Sequence, residues 1–71
     1  MTPDRLHGIM ARNPHALKRA RGMAGLTQRG LAAELDIGYS TIFHWEQGQR
    51  LPTGLYLKLL AKWWPSVTPT P

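Results

Sequence analysis

Apolar residues recur at helical spacing through the middle of the chain and are broken twice by turn-forming residues. After Thr27, a good N-cap, Leu31, Ala32 and Leu35 fall on one face, so the spacing predicts a helix over 28–35. Asp36 to Gly38 interrupts the pattern, and both Asp and Gly suit a turn or a cap. The apolar spacing resumes with Ile42 and Trp45 and stops at Gly48, which predicts a second helix over about 39–47. Two short helices with so brief a connection must cross steeply.

On either side the same reasoning adds further helices. Thr2-Pro3-Asp4 is a helix start, and Leu6, Ile9 and Met10 make a small apolar stripe behind it. This segment, residues 1–12, reads as a short packed helix, a frayed end or a basic arm carrying Arg5 and Arg12. Asn13-Pro14 reads as a second start, with Asn as the cap and Pro in the first turn, and a helix over about 15–23 should follow. Leu17, Ala20 and Ala24 form its inward face, Lys18 and Arg19 point outward, and Gly25 is placed to stop it. Thr53 is the expected cap of a last helix over 55–64, apolar nearly all round. Leu57, Leu60, Ala61 and Trp64 form one stripe and Tyr56, Leu59 and Trp63 another. The Pro- and Thr-rich stretch 65–71 should be extended or disordered.

The run Thr-Gln-x-x-Leu-Ala-x-x-Leu-x-Ile-x-x-Ser-Thr-Ile-x-x-Trp-Glu-x-Gly over 27–48, followed by Arg50-Leu51-Pro52, resembles the lambda-repressor-like helix-turn-helix family, the Xre/Cro group. The resemblance covers residues 16–64. It implies an all-α, compact four-helix helix-turn-helix domain, with a fifth helix if residues 1–12 fold as one. Domain limits of 13–64, with 1–12 as an extension and 65–71 as a tail, follow from it. The chain departs from the family pattern in places. Gly30 stands where relatives often carry the Glu of a capping box, and Gly inside a helix costs about 1 kcal/mol relative to Ala. Asp36 replaces a common Gly, and Gly38 a common Ser or Thr. Phe43 occupies a position that is usually small or polar.

Charge agrees with the resemblance without establishing it. Nine Lys and Arg against four Asp and Glu give a net charge of +5, which suits a polyanionic partner. Cys is absent, which removes disulfides and Cys-based zinc sites. No apolar core follows Asp4 and Arg5, so no secretory signal is expected, and no run approaches a membrane span. A cytoplasmic protein is the expectation. His7, His15 and His44 lack metal-ligand spacing, and no nucleophile motif or phosphate-cradling Gly loop is present. No cofactor, no metal and no catalysis are expected.

Helical geometry turns residues 39, 40, 43 and 44 outward once Ile42 and Trp45 face the core. The resemblance places Tyr39, Ser40 and His44 at base-reading positions in the major groove. Ser40 can donate or accept, His44 can donate to guanine N7 or O6, and Tyr39 can meet a thymine methyl or a phosphate. None offers the two-pronged bond of Arg or Gln, so DNA shape should carry part of the specificity. Gln28, Arg29, Thr41 and Arg50 are the candidates for the DNA backbone. The resemblance also implies a structural ion pair between Arg21 and Glu46. Phe43 could pack on a thymine methyl, on a sugar or on the preceding helix.

A sequence-specific regulator of double-stranded DNA is the leading expectation, most simply a homodimeric repressor, with Tyr56, Leu59 and Trp63 as candidate interface residues. Tyr56 and Leu59 could instead close the monomer's own core. An antitoxin-type autoregulator would add a protein partner on the last helix. The Trp, Leu and Lys of 55–64 also suit an interfacial membrane helix, which the motif upstream argues against.

Overall fold

The first helix, α1 (Pro3–Arg12), starts as its sequence suggests: the Thr2 hydroxyl accepts the Arg5 N–H at 3.3 Å, and Pro3 sits in the first turn. The computed structural model describes residues 1–64, and the extended stretch expected over 65–71 lies outside them. Four more helices follow: α2 (Ala16–Met23), α3 (Gln28–Leu35), α4 (Tyr39–Glu46) and α5 (Gly54–Trp63). The described residues contain no strand.

One core joins all five. Leu6 and Met10 of α1, Leu17 and Ala20 of α2, Leu31 and Ala32 of α3, Ile42 and Trp45 of α4, and Leu57, Leu60 and Ala61 of α5 are buried together, with Trp64 just beyond. Burying a side chain the size of Leu or Ile contributes about 1.5–3 kcal/mol, so each helix is held mainly by this shared interior. α1 packs against α5, α2 against α1 and α4, and α3 against α4. Residues 1–12 are therefore neither a frayed end nor a free arm: the Leu6 and Met10 stripe finds its partner in α5, while Arg5 and Arg12 stay exposed.

One helix start differs from the sequence expectation. Asn13 is not the cap of α2. It ends α1 in extended conformation, its N–H donating to the Ile9 carbonyl at 2.9 Å, while its side-chain Oδ1 accepts the His15 N–H at 3.1 Å. The Asn-Pro signature predicts one helix start, but two helices meet there and the turn takes Pro14 and His15, so α2 begins at Ala16. Thr53 stands at the N-cap position of α5 but makes no side-chain capping bond. Thr27, by contrast, caps α3 by accepting the Gly30 N–H at 2.9 Å.

The helix ends share one device. α2, α3 and α4 each finish in a left-handed residue: Gly25 (φ 72°), Asp36 (φ 55°) and Gly48 (φ 75°). The next N–H reaches back five residues in each case, Leu26 to Arg21 at 3.1 Å, Ile37 to Ala32 at 2.9 Å and Gln49 to His44 at 3.1 Å. Gly48 has a second reason to lack a side chain, since a Cβ there would stand 3.3 Å from Pro14 Cβ. Asp36 is the one non-Gly residue among these stops, and the left-handed backbone costs a side chain about 1 kcal/mol. Asp36→Gly should stabilise the domain by about 0.5–1 kcal/mol and raise Tm by roughly 2–6 °C in a thermal melt.

Candidate nucleic-acid interface

α3 and α4 meet through Leu31 and Ala32 on one side and Ile42 and Trp45 on the other, with Ile37 filling the turn. This packing fixes which face of α4 is free. Tyr39, Ser40, Phe43 and Gln47 are exposed and His44 is half-buried, so residues 39, 40, 43 and 44 stand outward as helical geometry requires.

α4 is tied to its neighbours by an ion pair at its end. The Arg21 guanidinium from α2 meets the Glu46 carboxylate with two bonds, Nε to Oε2 at 2.8 Å and Nη2 to Oε1 at 3.1 Å. Arg21 Nη1 also donates to the Leu26 carbonyl at 2.9 Å. The side chains are 15% and 4% exposed, so this is a largely desolvated pair. The hydrogen bonds to Glu46 raise the Arg21 pKa above its already high ordinary value, against a smaller lowering by burial. Its charge therefore persists over the whole physiological pH range. Among the described residues no buried side-chain polar atom lacks a partner.

Gln28, expected at the DNA backbone, spends its amide on this pair: Nε2 donates to Glu46 Oε1 at 3.1 Å. One carboxylate thus collects α2, α3 and α4. Gln28 also lines a shallow concavity with His15, Lys18 and Gln47. No local pattern marks Lys18 and Gln47 as neighbours of Gln28, because the three come from α2, the end of α4 and α3. Arg29 is exposed, and its guanidinium carbon lies 4.5 Å from the centre of the Tyr39 ring, a cation–π contact between α3 and α4. Thr41, His44 and Arg50 are brought together in a second concavity, walled by Trp45, Pro52, Thr53 and Tyr56. The ring partners of Phe43 are Tyr39 at 6.5 Å and His44 at 5.8 Å, both on α4.

On α5 the second apolar stripe is divided. Trp63 packs against the core and lies edge-on to Trp64, and Tyr56 lies edge-on to Trp45 at 5.9 Å yet remains 48% exposed. Leu59 is half-buried and Leu55, outside the stripe, is 70% exposed. No helix among the described residues is long and apolar enough to cross a membrane, and none of their His, Asp or Glu side chains form a group able to hold a metal.

A helix-turn-helix family model of the lambda-repressor-like, Xre type matches residues 17–62. No curated protein and no solved structure matches the chain. The matched segment runs from Leu17 in α2 to Lys62 in α5 and includes both helices of the motif and the Arg21–Glu46 pair. The family is one of DNA-binding regulators and not of enzymes. With the two crossing helices in place and most of its length matched, the chain belongs to the lambda-repressor-like helix-turn-helix family of DNA-binding regulators.

Proposed function

We propose that the protein is a sequence-specific repressor that binds double-stranded DNA as a homodimer, with α4 in the major groove. The observation that carries this reading is the outward face of α4, where Tyr39 and Ser40 are exposed and His44 is half-exposed beside them. Ser40 and His44 supply donors and acceptors for base edges, and Tyr39 adds ring and hydroxyl. Arg29 and Arg50 flank this face from α3 and from the loop before α5. They reach phosphates, with Thr41 and the half-buried Gln28 fixing the register. The Glu46 network serves this face indirectly by holding α4 against α2 and α3.

A single protomer has few contacts, so affinity comes from two copies on half-sites about 10 base pairs apart. The α5 side chains Tyr56 and Leu59 join the copies, with Trp63 contributing the part its own core leaves open. The exposed Leu55 beside Tyr56 also favours a second reading, in which this surface takes a protein partner, as in an antitoxin that regulates its own operon. A cytoplasmic location follows from either role.

The test is a titration of the protein against its own upstream DNA and a scrambled duplex over a range of salt. Tighter binding to the upstream DNA is expected, reduced about ten-fold or more in Ser40→Ala/His44→Ala. Two Arg phosphate contacts per protomer predict a log–log salt slope of about −3 to −4 for the dimer. Equal binding to both duplexes would reject base reading, and no binding to either would move the function to the α5 surface and a protein partner.

A further inference from the structure

We propose that Phe43, with Tyr39 beside it, reads thymine C5-methyl groups in the major groove, so that each half-site contains an A·T pair at the centre of the α4 footprint. This inference rests on α4 entering the groove as proposed above.

The placement of Phe43 points there. Its neighbours on the helix surface at i−4, i−3, i+1 and i+4 are Tyr39, Ser40, His44 and Gln47, which are the outward residues of α4. Around the helix Phe43 therefore lies inside that face, between Tyr39 and Ser40. The residue is 38% exposed, and its ring is tilted 35° to Tyr39 and edge-on to His44. The three rings make a continuous ridge along the helix. Arg29, 4.5 Å from the Tyr39 ring centre, steadies one end of that ridge from α3.

A phenyl ring has no donor or acceptor. Pressed onto guanine N7 and O6, adenine N6 or cytosine N4, it would strip those groups of water without replacing their hydrogen bonds. The thymine methyl is the one apolar group presented on the groove floor. Sugars line the walls of the groove and would be met by the margins of α4, where Phe43 does not lie. The ring thus favours thymine in two ways: it covers a methyl that gains from leaving water, and it penalises polar edges in the same place.

The experiment begins by selecting duplexes from a random pool with the full chain. Each thymidine of the selected site is then replaced in turn by deoxyuridine, which keeps the base pairing and removes only the methyl. Affinity is measured for the unaltered protein, Phe43→Ala and Phe43→Leu. At one or two positions per half-site, deoxyuridine should weaken the unaltered protein about three- to ten-fold. Phe43→Ala should bind the thymine duplex more weakly by a similar factor and be indifferent to deoxyuridine there. Phe43→Leu, which keeps apolar contact, should retain part of the discrimination and serves if the Ala variant proves unstable. Enrichment of a sequence whose binding ignores every methyl overturns the inference alone, as does full methyl sensitivity in the Phe43 variants. Failure of the pool to enrich any sequence overturns base reading by α4 and this inference with it.

Discussion

Glu46→Ala should destabilise the domain by about 3–5 kcal/mol, the cost of stranding a largely buried partner charge. The loss falls on several groups at once. Arg21, 15% exposed, keeps its charge and loses two bonds, and Gln28 loses its acceptor. A domain of this length holds on the order of 5 kcal/mol in total, so most of the stability should go. Urea unfolding followed by tryptophan fluorescence reads this directly, because Trp45 and Trp64 are buried in the folded state. Glu46→Gln, which keeps an acceptor but no charge, should fall between. The double variant Arg21→Met/Glu46→Leu should cost less than the sum of the two single changes, since no charge is left unpaired. A midpoint unchanged in Glu46→Ala would show that the pair contributes nothing to stability. DNA binding should fall with the folded fraction and also through α4 itself, whose end is fixed by this carboxylate.

Leu6→Ala should cost about 2–5 kcal/mol, the range for emptying a fully buried Leu site. Leu6 and Met10 are the buried face of α1, and α1 covers α5. Without that cover Leu57, Leu60 and Ala61 would lose part of their shelter. Arg5→Ala and Arg12→Ala, at exposed positions on the same helix, should change stability by less than about 0.5 kcal/mol. Hydrogen exchange distinguishes this from an arm that acts only on DNA. In Leu6→Ala, amides of α5 should lose protection together with those of α1. Unchanged α5 protection would mean that α1 is dispensable to the core.

These outcomes bear on what could be read from residue order. The motif was legible because its information is local. Thr27 caps the helix it precedes, Ile42 and Trp45 are three apart and both buried, and Gly48 stops α4 with a backbone that glycine adopts freely. The outward placement of Tyr39, Ser40, Phe43 and His44 follows from the same periodicity. The all-α class and the four helices within 15–64 are therefore legible in the sequence, and the helix-turn-helix resemblance rests on those positions.

Contacts between helices were another matter. Nothing local says whether the Leu6 and Met10 stripe packs or frays, because a short amphipathic helix has the same pattern in either case. The decision belongs to α5, whose apolar surface wraps too far round to be covered by α2 to α4 alone. Asn13 misled for a related reason: a residue able to start one helix was needed to end another. The bond from Gln28 to Glu46, the stacking of Arg29 on Tyr39 and the burial of Trp63 each join residues on different helices or beside the shared core. By itself the sequence determined that the four segments within 15–64 are helical, that Gly25 and Gly48 stop two of them and which face of α4 is free, because backbone preference and periodicity act within a few residues. Only the tertiary structure decided that α1 completes the core and that one carboxylate collects three helices, because burial and desolvated pairing depend on what the rest of the chain brings alongside.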